Sequence, residues 1–125
     1  MSREKISKIH LVLEKIGYVE EVIKYKGNIS LALSDIAVSR AAILMHLTAI
    51  AEQFDKLKKS NSIEILSEFD KDDLKGLYDI RTYIAHDYEG VNLAIIEWVL
   101  RYGLPKLKKQ CEIVVERFGE KNSEE

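Results

Sequence analysis

Apolar residues recur at intervals of three and four from Ile6 to Phe118, and a single proline interrupts them. That spacing puts side chains on one stripe of an α-helix, whereas a strand facing a core needs alternation. No stretch of useful length alternates, so the chain reads as all-α. The first stripe is Ile6, Ile9, Leu13 and Ile16, continuing through Val19 and Ile23 to a stop at Gly27. A second carries Leu33, Ile36, Ala37, Leu44, Leu47, Ala51 and Phe54. Its start is open, because Asn28, Ser30 and Ser34 are all N-cap residue types and SLALS also fits a separate short turn. Arg40 falls inside this series and is a candidate buried-face guanidinium, although snorkelling to an edge is the commoner outcome. The third helix starts sharply at Asp70, with Asp73 three residues on and Phe69 and Leu74 spaced for a hydrophobic staple. Gly90 is its expected stop. Asn92 then caps a fourth helix bearing Val91, Ile95, Trp98, Val99 and Tyr102, followed after RYGLPKL by Leu107, Cys111, Val114 and Phe118.

Four amphipathic helices with short connections pack most simply as an antiparallel four-helix bundle. Pro105 has no amide hydrogen and its ring crowds the preceding turn, so the last helix is expected to kink there, eased by Gly103. Residues 1–118 make one domain, and 119–125, GEKNSEE, a flexible acidic tail with no apolar residue to bury.

The formal net charge of −2 argues against a domain that holds nucleic acid mainly by bulk electrostatics, but leaves room for a local site. The lysines at 56, 58 and 59, and at 106, 108 and 109, read first as solvated helix faces. A lone cysteine, Cys111, builds no disulfide framework and fits a reducing cytosol, where it is core rather than nucleophile. The charged N-terminus and the lack of a long apolar run point to a cytoplasmic protein with no membrane contact. His10 and His46 stand on separate helices without a second ligand at metal-binding spacing. Ser34 and Ser39 have no glycine elbow, and no Gly-rich phosphate loop occurs, so neither metal nor cofactor is expected.

RTYIAHDYEG, residues 81–90, carries the chemistry. On a continuous helix Arg81 and Tyr88, seven residues apart, are offset by only about 20° and share the face of Leu74, Leu77 and Ile84. A guanidinium and a phenol on a buried stripe need either a structural hydrogen-bond network or a job. Near a helix C-terminus His86 meets unpaired carbonyls that favour its protonated form, and imidazole is the usual acid or base at neutral pH. Arg81 offers a planar fork suited to phosphate, and Tyr88 a hydroxyl that donates or accepts. Such a set suits cleavage of RNA through its own 2′-hydroxyl, which needs a base, an acid and cationic stabilisation of the phosphorane but no metal. One histidine is one too few, so a second must come from another copy across a two-fold axis. Five residues of ideal helix also separate Arg81 from His86 by about 140°, so the two converge only if the helix loosens or two chains share a cleft.

In the form Arg, four residues, His, one residue, Tyr, this stretch resembles the signature of HepT toxins of the HEPN superfamily. RAAILMHLTAIAEQFDKL is similar to that family's second helix, DDLKGLYDIRTYIAHDYEGVNLAIIEWVL to its motif helix and the entry to the next, and GLPKL to its proline-bearing last helix. The resemblance implies a HEPN-like helical bundle that forms a homodimer around a cleft and acts as a metal-independent endoribonuclease toxin on RNA, a tRNA or an mRNA. It implies Arg81 and His86 as catalytic residues, with Thr82 and Asp87 as supporting motif positions. It further implies a nucleotidyltransferase antitoxin of the MntA type as partner, transferring AMP to Tyr88. Thr82 departs from the Asn that often comes directly after the motif Arg, keeping a polar side chain but losing an amide. The alternative is a non-catalytic subunit that binds a nucleotide or a minimal nucleotidyltransferase.

Overall fold

The computed structural model describes residues 3–119, and every regular element among them is helical. The elements are α1 (Arg3–Lys26), α2 (Ile29–Ser34), α3 (Ala41–Lys59), α4 (Ile63–Leu66), α5 (Lys71–His86), α6 (Leu93–Trp98) and α7 (Leu104–Val114). Three wider π turns adjoin them, Ile36–Arg40 before α3, Val99–Gly103 between α6 and α7, and Val115–Gly119 at the end. Of the acidic tail, 120–125 lies outside the described residues.

The four expected apolar stripes form the bundle, but two of their helices are subdivided. Gly27 ends α1 with a φ of 111°, a conformation that favours glycine. Asn28 caps α2, its Oδ1 accepting from the Leu31 amide at 2.8 Å. Asp35 then stops α2 and restarts the chain. Its carboxylate accepts from the amides of Val38 and Ser39 and from the Ser39 hydroxyl, at 3.4, 3.3 and 3.0 Å. Those bonds hold its carboxyl below the usual range, the Ser39 hydroxyl most of all, then the Ser39 amide and Lys26. The half-buried Arg40 donates from Nε to the Leu33 carbonyl, which the break would otherwise leave unpaired, at 2.6 Å.

Asp70 caps α5 by accepting from the Asp72 amide at 2.8 Å. Asp73 does not complete a capping box, because it pairs with Lys106 of α7 at 2.8 Å and thereby ties the two helices together. Asn92 caps α6 through the amides of Ala94 and Ile95. At Pro105 the helix carries the π turn Val99–Gly103 immediately upstream, where the wider backbone accommodates a residue that cannot donate.

α1 packs on α3 and α7, and α3 packs on α5. The core is aliphatic, built on Ile9, Val12 and Ile16 of α1, Leu44, Leu47 and Ile50 of α3, Leu77 and Ile80 of α5, and Cys111 and Val114 of α7. Phe54 and Phe69 meet edge to face at 4.9 Å. Burial pushes the Cys111 thiol up to about 12, so it stays neutral as part of this core.

One expected face holds at Val99 but not at its neighbours. On α6 and the turn after it, Ile96, Val99 and Leu100 are buried, whereas Ile95, Trp98 and Tyr102 are exposed. Apolar residues occupy both sides of this segment, and the interior takes the compact aliphatic side rather than the aromatic one. No helix among the described residues is long and apolar enough to cross a membrane.

Candidate functional site

α5 ends at His86, four residues before the expected stop at Gly90. The cause is local. Asp87 leaves the helix with φ −151° and ψ 76°, its amide still donating to the Tyr83 carbonyl, while its Oδ1 accepts from the Gly90 amide at 2.9 Å. A Cβ on Gly90 would meet that carboxylate and force the Asp87 side chain to move, so glycine there favours the Asp87 turn rather than the helix end. Tyr88 therefore lies on a turn beyond the helix, and the face it was expected to share with Arg81 does not exist. The buried stripe also stops short: Leu77 is buried, Leu74 and Ile84 are half-buried, and the Arg81 side chain keeps 40% of its exposure. The polar trio is thus on the surface rather than in a sealed network, with Tyr88 42% exposed.

His86 is exposed and lines a cavity of about 340 Å³ with Ile80, Tyr83, Asp87, Asn92 and Ile96. Arg81 and Tyr88 do not line it. An adjoining groove of about 430 Å³ runs between α5 and the α6–α7 segment, floored by Leu77, Val99 and Leu104 and rimmed by Tyr83, Ile95 and Trp98. Thr82 turns its hydroxyl back to the Tyr78 carbonyl at 3.0 Å, bonding within its own helix.

Arg81 faces the other way, toward α3, where its Nε lies 3.9 Å from Oε1 of Glu52. Beside it stand Tyr78 and Asp55. Burial and Asp55 push the Tyr78 phenol up, partly offset by Arg81. Asp55 is held below the usual carboxylate range, first by Lys59 at 2.9 Å, with Arg81 contributing. Lys58 sits 5.5 Å from the Tyr78 ring centre. Glu52, Asp55 and Tyr78 do not stand out in the sequence. Their signal is positional: Glu52 and Asp55 are three apart on α3, and Tyr78 stands three before Arg81, so each pair shares one helix face.

One chain therefore presents the Arg81 guanidinium and the His86 imidazole on different sides of α5, with a turn carrying an accessible phenol between α5 and α6. Among the described residues no group of three or more His, Cys, Asp or Glu is placed to hold a metal ion. Searches among curated proteins and among solved structures return no match. The family model for "Ribonuclease HepT-like" matches residues 13–114, a span that includes the second half of α1, the motif helix and all of α7. The chain belongs to the HepT-like ribonucleases, a family of HEPN type.

Proposed function

We propose that this protein is a metal-independent endoribonuclease toxin of a toxin–antitoxin pair, acting in the cytoplasm on a tRNA or an mRNA. The observation that carries the reading is that the motif Arg and His are both accessible and aimed into solvent-facing sites, the former at the α3 edge and the latter at the α5–α6 cavity. In the reaction a base removes the proton of a ribose 2′-hydroxyl, whose oxygen attacks the adjacent phosphorus. The bond from phosphorus to the 5′-oxygen breaks, and an acid gives that oxygen a proton, leaving a 2′,3′-cyclic phosphate and a 5′-hydroxyl. His86 supplies proton transfer, and the Arg81 fork stabilises the extra charge on the phosphorane.

Because the two side chains leave α5 in different directions, a homodimer that apposes two motif sets completes the cleft. The second imidazole then serves as the other half of the acid–base pair. Asp87, which closes the turn on Gly90, shapes the loop that holds Tyr88, while Thr82 braces the helix. An MntA-type nucleotidyltransferase antitoxin switches the enzyme off at Tyr88: the phenol oxygen attacks the α-phosphorus of ATP, pyrophosphate departs, and the phenolic proton is lost. The attached AMP fills the cleft and repels an RNA phosphate.

The test incubates the purified chain with total RNA beside His86→Ala and Arg81→Ala. Each variant is expected to lose about 100-fold or more of the cleavage rate with unchanged helical circular dichroism. Cleavage by both variants at the wild-type rate would overturn the chemistry. Intact mass after incubation with the antitoxin and ATP is expected to rise by one adenylyl group, and Tyr88→Phe to abolish the gain. AMP transfer without any cleavage would instead favour a non-catalytic binding subunit.

A further inference from the structure

The ribonuclease reading leaves one charged group beside the motif unused. Glu52 of α3 makes no ion pair other than the one with Arg81 among the described residues, whereas its neighbour Asp55 is already held by Lys59. We propose that Glu52 is a positioning residue for Arg81, an inference that rests on the ribonuclease reading.

The physical need is plain. A guanidinium on a half-exposed helix face has many rotamers, yet it stabilises a phosphorane only when its planar fork meets two phosphate oxygens in one orientation. Glu52 approaches Arg81 at Nε, at 3.9 Å, so its charge draws that edge of the guanidinium toward α3, while the donors on the two Nη atoms make no ion pair with it. The separation is too long for a hydrogen bond and short enough for charge attraction, so the fork is steered without being consumed. Tyr78, with Lys58 over its ring, stands one turn before Arg81 on α5 and within reach of its charge. Fold stability offers no competing reason for the pair. An ion pair with side chains 40% and 46% exposed adds little, so a variant at Glu52 should still fold.

The test measures steady-state cleavage of the RNA identified with the wild-type enzyme. Glu52→Gln, isosteric and neutral, is expected to lower kcat about 5- to 20-fold with KM within about twofold, as befits an interaction that matters in the transition state. Glu52→Asp, which keeps the charge on a shorter arm, is expected to recover part of that loss. In an Arg81→Ala background Glu52→Gln should cost nothing further, because there is no fork left to orient. Independently of activity, the Nε–H resonance of Arg81 is expected to shift in Glu52→Gln while the rest of the spectrum holds. Wild-type kcat in Glu52→Gln would overturn the proposal, as would additive losses in the double variant, which would make Glu52 an independent proton acceptor. Those outcomes leave the ribonuclease reading standing. A wild-type chain that cuts no RNA would bring down that reading and the positioning role with it.

Discussion

His46 shows how much of a residue's behaviour depends on neighbours far away in sequence. Its ring lies 5.4 Å from that of Tyr18 on α1, tilted by 42°, and it is half-buried. Burial is the larger cause that lowers its pKa and Lys15 the smaller, both opposing the imidazolium. A histidine that resists protonation in the folded state binds protons more readily when unfolded. Stability is therefore lost as pH falls below the unfolded value near 6.5, and is regained above it. His46→Phe keeps a ring against Tyr18 but cannot titrate. Denaturant unfolding at pH 8 and pH 5.5 is expected to show a fall in wild-type stability that the variant lacks, a modest one because solvent still reaches the imidazole. Equal falls in both proteins would remove His46 as the cause. The same dependence on distant partners explains why Arg81 was legible as a phosphate-binding candidate but its direction was not: Glu52 stands 29 positions earlier in the chain. The helix face expected for Tyr88 was lost for a nearer reason, since the Asp87 carboxylate competes for the Gly90 amide and the helix ends early.

At the scale of elements, ends written by cap chemistry were readable. Gly27, Asp70 and Asn92 mark boundaries as their residue types suggest, because each bond they make spans two to four residues, whereas Asn28 was one of three candidate caps among which the sequence did not choose. The π turns were not readable. The one at Ile36–Arg40 has the Arg40 amide donating to the Asp35 carbonyl, and Arg40 also ties back to Leu33. Such a widened turn has no periodicity that distinguishes it from the α-helix around it. α5 also carries a glycine in its interior. A Cβ built on Gly76 meets nothing within 4 Å, so the residue pays the conformational cost of glycine with no packing in return inside one chain. Gly76→Ala is expected to stabilise the helix by about 0.5–1 kcal/mol and to raise Tm by about 2–5 °C, read by thermal unfolding at low protein concentration. A lower Tm would mean that the groove beside Gly76 is occupied so closely that a methyl group cannot enter.

At the scale of the whole molecule, the phenylalanines are buried while Tyr83, Trp98 and Tyr102 stand exposed. The bundle was legible because one buried stripe per helix suffices to specify it, but the fourth helix carries a second apolar face, and spacing alone does not say which face looks inward. With Ile96, Val99 and Leu100 taken by the core, Tyr83, Ile95 and Trp98 stand exposed along the groove that adjoins the His86 cavity, and Tyr102 is exposed beside Trp98. An exposed apolar groove beside the motif is the kind of surface that the second copy proposed above would cover. If the cleft needs an imidazole from each protomer, one defective subunit disables a whole dimer. Mixing wild type with His86→Ala before co-refolding then separates a shared cleft from two independent ones. At equal parts, random pairing leaves about a quarter of the dimers with two wild-type chains. Activity per total protein should therefore fall to about a quarter of the all-wild-type value and scale with the square of the wild-type fraction. Independent sites would instead give a straight line through one half, and that line would rule out the second imidazole as the missing acid or base.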